Sequence, residues 1–467
     1  MRFTIVSHAG LEIASDGLSL IIDPWLVGSC YWRSWWNYPP PPGELIRRLR
    51  PDFIYVTHLH WDHFHGVSLR RFDRKTPVLV PRAYFGRMVE DLASMGFSDV
   101  QEMTHGKEYR VGGKLVLTSY QFGPTLDSAL VVDTGEVVLL DANDCKLMGA
   151  PLRQVTRRHP RIDFVLRSYS SASPYPYCVS SEFPDHLMHR SREDYLEEFL
   201  VFAEAVNARY AIPFASNHCF LHRETRRFND TVVLPHEVKQ YFDRNRHGTI
   251  ECVVMLAGDS WSTGCGFEIA PEDYYTRRDG HLDELAEQYR GKLERTYQRE
   301  DRVAPDFASF KRYFSDLLAA LPIGFRLLMP ARVMFHVTGN GDANWLVDFR
   351  ARSIMEHAGA DAAHDFRIDV HAAVLRDCCQ KQMFSTFSAS KRVHYHLRTR
   401  KALRYMNIYN SLMDLYEAGC FPVSGMLSRR FAANWSHRWR ELGFYARAGL
   451  WLAMGRELRP ADIIRAG

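Results

Sequence analysis

The chain has 467 residues, is 46% hydrophobic and carries a formal net charge of only +4, from 59 Lys and Arg against 55 Asp and Glu. That length implies two domains with a large core, and the near balance of scattered charge argues against a nucleic-acid partner. Nine cysteines lack paired metal-finger spacing, no apolar run approaches the roughly 18 residues needed to span a bilayer, and Met1-Arg2-Phe3-Thr4 opens no secretory signal, so a reduced, cytoplasmic protein without a membrane span is expected.

Residues 3–6 and 18–22 read as short buried strands with a turn at Asp16-Gly17, and the second runs into Asp23-Pro24-Trp25. Tyr31, Trp32, Trp35, Trp36 and Tyr38 follow, before four prolines. They fit either a packed loop stiffened by proline or an aromatic wall beside a binding pocket. Residues 43–50 read as a short helix, and 53–56, after the breaker Pro51, as a buried strand. At its end stands Thr57-His58-Leu59-His60-Trp61-Asp62-His63, four potential metal ligands inside six residues. Imidazole nitrogen and carboxylate oxygen suit zinc, iron or manganese, as one ion or two adjacent ones. Without a shared metal, each of the four would need its own partner.

This His-x-His-x-Asp-His motif resembles the signature of the metallo-β-lactamase superfamily. The resemblance implies His58 and His60 as ligands of a first metal and Asp62 and His63 of a second. It also expects a histidine, a bridging aspartate and a final histidine after later strands. Downstream, 77–81 reads as a strand, 83–95 as a helix, and 100–103, 108–111, 115–120, 130–132 and 137–140 as strands. That order fits an αββα sandwich, two mixed sheets with helices outside. Gln121 stands where the superfamily has its next histidine, and an amide is a weaker ligand. After 137–140, the resemblance places the bridging aspartate at Asp144, with Asp141 as the substitute. After a strand at 162–168 and a helix at 193–206, His218 takes the place of the final histidine, with His222 as a supporting neighbour.

From Pro213 to Asp230, PFASNHCFLHRETRRFND, the sequence resembles the metallo-β-lactamase-type part of the CMP-N-acetylneuraminate hydroxylases. Trp345-Leu346-Val347-Asp348-Phe349, Arg367-Ile368-Asp369-Val370 and Tyr395-His396-Leu397 echo that family's C-terminal region. The departure is the lack of a Cys-x-His paired with Cys-x-x-His for a Rieske cluster. The implied architecture is α/β (α+β): residues 1–270 form a metal-binding catalytic domain, and 271–467 an α+β and helical accessory domain, lipid-carrier-like by resemblance. Within the latter, 272–302 reads as charged helical connector, 307–321 as an amphipathic helix, 331–338 and 344–349 as strands, the stretch from Val370 as helices, and 427–455 as a Trp- and Arg-rich helix.

Two reaction classes follow. Zinc would make the chain a metallo-hydrolase of esters, lactams or phosphodiesters, with Asp62 orienting the attacking water. The hydroxylase resemblance implies instead an iron-dependent monooxygenase acting on a small anionic metabolite, with electrons from a separate reductase or ferredoxin. Catalytic roles fall to Asp62 and His63. Trp35, Tyr175, Arg223 and Arg226 are the substrate-binding candidates, since arginine forks pair with phosphate or carboxylate. The other reading of these arginines is pairing with Glu224 and Asp230.

Overall fold

The computed structural model describes residues 1–170, 172–187, 190–271, 274–359, 362–453 and 459–465. Arg2–Ile5, Leu11–Ser15 and Leu18–Ile22 pair antiparallel in sequence order. Phe53–Tyr55, Val78–Pro81 and Val100–Met103 extend them in parallel, and Ser260–Ser262 with Gly266–Glu268 form the other edge, giving eight strands. A second sheet of seven runs Glu251–Cys252, Tyr210–Pro213, Phe164–Arg167, Val138–Asn143, Asp127–Asp133, Val116–Phe122, Glu108–Arg110.

Period-two alternation gives each sheet two apolar faces. Phe3, Ile5, Leu20 and Ile22 of the first sheet meet Leu117, Leu130, Leu139 and Ile212 of the second in one buried cluster. On the outer faces, Leu45 and Leu92 of the helices Gly43–Arg48 and Arg87–Ser94 cover Ile21, Ile54 and Val78. Helices Gly149–Arg158, Arg192–Val206 and Pro235–Asn245 cover Val131, Leu140 and Val165. This is the αββα sandwich implied above. Parallel register puts Ile22 beside Tyr55, and Leu140 beside Val165 beside Ala211. Asp23, His58, Asp144 and His218 therefore all follow strand ends at the same edge.

A third sheet of six strands, Val179–Ser181, Val393–Leu397, Phe366–His371, Arg332–Thr338, Ala343–Asp348 and Ser353–His357, packs on the helices Phe307–Ala320, Ala372–Lys381 and Ala402–Glu417. Its first strand comes from the N-terminal half, and Ile463 and Ile464 near the C-terminus pack into the N-terminal sandwich. Segments thus cross the expected boundary in both directions. That boundary falls between Gly266–Glu268 and the helix Arg278–Glu300. Glu272, where a helical stretch was expected to begin, and 454–455, where another was expected to end, lie outside the described residues.

Three differences from the sequence reading have physical causes. The strand Leu11–Ser15 was not anticipated; it pairs Leu11 with Ile5 after the tight turn at Gly10. The strand expected at 130–132 starts at Asp127, because pairing with Val116–Phe122 carries its polar first residues into the ladder. Val393–Leu397 is a strand and not part of a helical run: Val393, Tyr395 and Leu397 face the core while His394 and His396 do not, a period of two. Among the described residues, no helix is long and apolar enough to cross a membrane.

Candidate metal centre

Asp23, fully buried, shapes the turn after Phe53–Tyr55. Its carboxylate accepts the Thr57 N–H at 2.8 Å and the Thr57 hydroxyl at 2.6 Å, and lies 2.6 Å from His63 Nδ1. A carboxylate only accepts, so His63 Nδ1–H donates to it and Nε2 is left facing inward. The Thr57 hydroxyl, already committed to Asp23, accepts from His58 Nδ1 at 2.9 Å, and His58 likewise presents a bare Nε2.

Three sets of donor atoms meet at this turn, each set within 4.8 Å: His58, His60 and Asp127; His58, His63 and Asp144; His8, Asp62 and His63. Shared His58 and His63 make them one continuous centre. His63 Nε2 lies 3.4 Å from Asp144 Oδ2 and 3.5 Å from Asp62 Oδ2. The ring of His218 stands 5.4 Å from that of His8 and stacks nearly parallel on Trp35, with centroids 3.7 Å apart. Among the described residues, His58 Nε2, His63 Nε2 and both ring nitrogens of His218 are buried without a hydrogen-bond partner. Orphaned polar atoms at this depth are costly, and a shared cation would satisfy them.

The charges fit the same conclusion. Burial, followed by the neighbouring His63 and His60, holds His58 well below the usual imidazole range, in the neutral form that ligates. His218 is held low by burial, then by His8 and Lys391. Burial disfavours a charged His63, yet the carboxylates of Asp62 and Asp23 carry it well above its ordinary value. Asp144 is held low against its burial by His63. Carboxylates this dense around His63 favour positive charge at the centre, on the imidazole or on a shared cation. Asp62 is further gripped by the Tyr31 hydroxyl, which donates to Oδ1 at 2.5 Å, and by His8 Nε2, 3.0 Å from Oδ2. Burial and then Asp62 push the Tyr31 phenol up, so it keeps its proton.

Of the residues singled out from sequence, His58, His60, Asp62, His63 and Asp144 converge, with His218 adjacent and Trp35 as its stacking partner. Asp141 lies outside the three sets, fully buried, and burial followed by Asp23 raises its carboxyl well above the usual range. Gln121 is occupied elsewhere: its amide donates to the Arg82 carbonyl at 3.1 Å and accepts from Asn434 at 3.2 Å. The residue actually brought against His58 and His60 is Asp127, one strand on. Tyr175 packs against the third sheet's core. Arg223 pairs with Asp301 and Arg226 with Asp283, both acids of the 278–301 segment, while Glu224 pairs with Arg392. The sequence reading missed His8, Asp127 and the orienting role of Asp23. A strand ending three residues before His8 was the available signal for the first.

No family model matches the chain. A Mycobacterium tuberculosis protein named for a Rieske 2Fe-2S iron–sulfur centre is 28% identical over 277 residues, 56% of this chain and 53% of that protein. The cytidine monophosphate-N-acetylneuraminic acid hydroxylase of Mus musculus is 25% identical over 154 residues, 31% of this chain and 26% of the hydroxylase. The chain thus spans about half the length, or less, of these curated relatives. Among solved structures, isothiocyanate hydrolase from Delia radicum gut bacteria has a TM-score of 0.42 at 14% identity, covering 56% of this chain and 99% of that one. CmlA, a diiron β-hydroxylase from Streptomyces venezuelae, has 0.37 at 16%, covering 56% and 53%. The chain folds as an αββα sandwich and is similar in sequence to the cytidine monophosphate-N-acetylneuraminic acid hydroxylases and to mycobacterial proteins named for a Rieske centre.

Proposed function

We propose that the chain is a metal-dependent oxidoreductase of the monooxygenase type, holding iron and acting on a small anionic metabolite. The observation that carries this reading is Asp127 beside His58 and His60. Two imidazoles and one carboxylate are the donor set of non-haem iron oxygenases and also of some catalytic zinc sites, and the sequence similarity to the hydroxylases favours iron here. His58, His60, Asp62, His63, Asp127 and Asp144 would hold the metal, with His218 beside them. Iron in that set supplies the redox chemistry for using dioxygen.

The chain's own groups prepare the site. Asp23 fixes the His63 ring, Tyr31 and His8 fix the Asp62 carboxylate, and Trp25, Trp35 and Phe220 keep water from the His218 side. In this reading residues 1–270 carry the chemistry, and 271–467 act as an accessory region bracing the aromatic turn through Asp377 on Trp32 Nε1, at 2.9 Å. Electrons come from a separate reductase or ferredoxin.

Metal analysis after aerobic purification tests the reading: iron, with a visible charge-transfer band and reductant-dependent oxygen uptake, is expected. Colourless zinc protein that hydrolyses an ester, lactam or phosphodiester would replace it with the hydrolase reading. A second expectation concerns orientation. Asp23→Ala should lower metal affinity about 10- to 100-fold, the usual cost of losing the carboxylate behind a ligating histidine. Chelator competition measures this, and unchanged affinity would remove His63 from the ligand set.

A further inference from the structure

On the outer side of the aromatic turn lies a groove of 460 Å³ lined by Arg33, Lys292, Arg295, Gln298, Arg299 and Arg302. Five of its six lining residues are cationic and none is acidic. Among the described residues, none of the five has an ion-pair partner. Their neighbours on the same helix do: Arg290 pairs with Glu287, and the acids Asp283 and Asp301 are taken by Arg226 and Arg223. Glu300 is bound by Arg392, and Glu294, between Lys292 and Arg295 in sequence, lines a separate pocket with Arg223 and Arg290. Among the described residues, the Arg299 guanidinium engages the Arg295 carbonyl and the Thr296 hydroxyl, and that of Arg33 the Ser29 hydroxyl. The crowding is felt by the groups themselves. Burial and then Arg299 lower the Arg33 pKa, and burial, then Arg33 and Arg295, lower that of Lys292. A solvated helix face would intersperse acids with these bases; this one concentrates unneutralised charge in a concave space.

Arg33 also belongs to a strained segment. Tyr31, Trp32 and Arg33 are three consecutive non-glycine residues in left-handed backbone, with φ of +53°, +52° and +67°. Such conformations persist only where surrounding contacts impose them. The turn aims Tyr31 at Asp62 on one side and, two residues on, sets Trp35 against His218. Its third residue carries the guanidinium that reaches the groove. We propose that the groove binds an oligophosphate-bearing small molecule, and that the bound anion reinforces the turn holding Tyr31 on Asp62 and Trp35 on His218. Several negative charges within a short span match five cations better than a single carboxylate does, and arginine forks pair bidentately with phosphate oxygens. The volume suits a small molecule and is too small for a nucleic-acid duplex.

The test uses the full chain, with inorganic tripolyphosphate as probe and sulfate at matched ionic strength as reference. Calorimetry should show saturable tripolyphosphate binding beyond that of sulfate. The double variant Arg295→Ala/Arg299→Ala should weaken it by about tenfold or more, the usual loss for charged hydrogen bonds. Both side chains are exposed, so the variant should keep the wild-type unfolding midpoint, which is checked alongside. Hydrogen exchange of backbone amides at 29–38 should slow when the probe is bound. Binding no better than sulfate, or equal affinity in the double variant, overturns the site. Binding that leaves exchange at 29–38 unchanged overturns the link to the metal centre. Neither result depends on which metal the centre holds or which reaction it performs.

Discussion

Arg392→Met is expected to destabilise the protein by about 3–5 kcal/mol, the range for removing one partner of a buried ionic group. The guanidinium is 2% exposed and grips two carboxylates at once: Glu224 at 2.8 and 2.9 Å, and Glu300 at 2.8 and 2.9 Å. It also donates to the Trp32 carbonyl at 3.1 Å. One side chain therefore joins the third sheet, the end of the helix Arg278–Glu300, the loop after His218 and the aromatic turn. His222, Glu224 and Glu300 bring donor atoms within 4.8 Å of one another, and here the guanidinium is the cation that neutralises them. Methionine would fill the volume and leave two like charges facing each other.

The same network sets an acid limit. Burial raises the Glu300 carboxyl, but hydrogen bonds from His222 and Arg392 outweigh it and bring the pKa from 4.5 down to about 2. The unfolded chain then takes up a proton that the folded chain refuses. Stability from this group is complete above about pH 4.5 and falls as the pH drops towards 2, by about 3 kcal/mol in all at 1.36 kcal/mol per unit. The urea midpoint of wild type should decline across that window, whereas Arg392→Met should show a lower midpoint and a shallower decline. A variant with the wild-type midpoint at pH 7 would show that the pairing contributes nothing.

What could be read from the sequence was local. His58, His60, Asp62 and His63 occupy six residues, and strand ends are visible as β-branched runs meeting polar residues; Asp144 came from the resemblance, applied to the residues after one such strand end. Asp127 was hidden because its strand opens with Asp-Ser, two residues that carry no apolar signal; only pairing to Val116–Phe122 makes them strand. His8 is a lone histidine whose one signal was the strand ending three residues before it, far weaker than four ligands within six residues. Gln121 was located, but its hydrogen-bond partner Asn434 lies 313 residues away. Arg223 and Arg226 were weighed against the nearby acids Glu224 and Asp230, whereas their partners come from a helix more than 50 residues downstream. Pairings that depend on the packing of distant segments leave no local trace.

Lys391 is the second residue whose replacement should have a large effect, and here the sign is opposite. It is 3% exposed, with its ammonium 5.1 Å from the Phe220 ring, 5.6 Å from Tyr177 and 5.7 Å from Phe228. Among the described residues it has no carboxylate partner. Rings attract a cation, but less strongly than water or a carboxylate does. Burial accordingly lowers its pKa from 10.5 to about 8, with Cys178 opposing. Between pH 8 and 10.5 the unfolded chain holds a proton that the folded chain has released, so wild-type stability rises with pH across that window. Below pH 8 the full penalty remains, about 3 kcal/mol at 1.36 kcal/mol per unit. Lys391→Met, similar in length and free of charge, is therefore expected to be more stable than wild type at pH 7 by up to that amount. The advantage should shrink to little by pH 10.5. Urea midpoints of both proteins, stripped of metal and measured from pH 7 to 10.5, decide the matter. If the variant is the less stable at pH 7, or the gap between the two does not close with rising pH, the aromatic box stabilises the ammonium more than burial destabilises it.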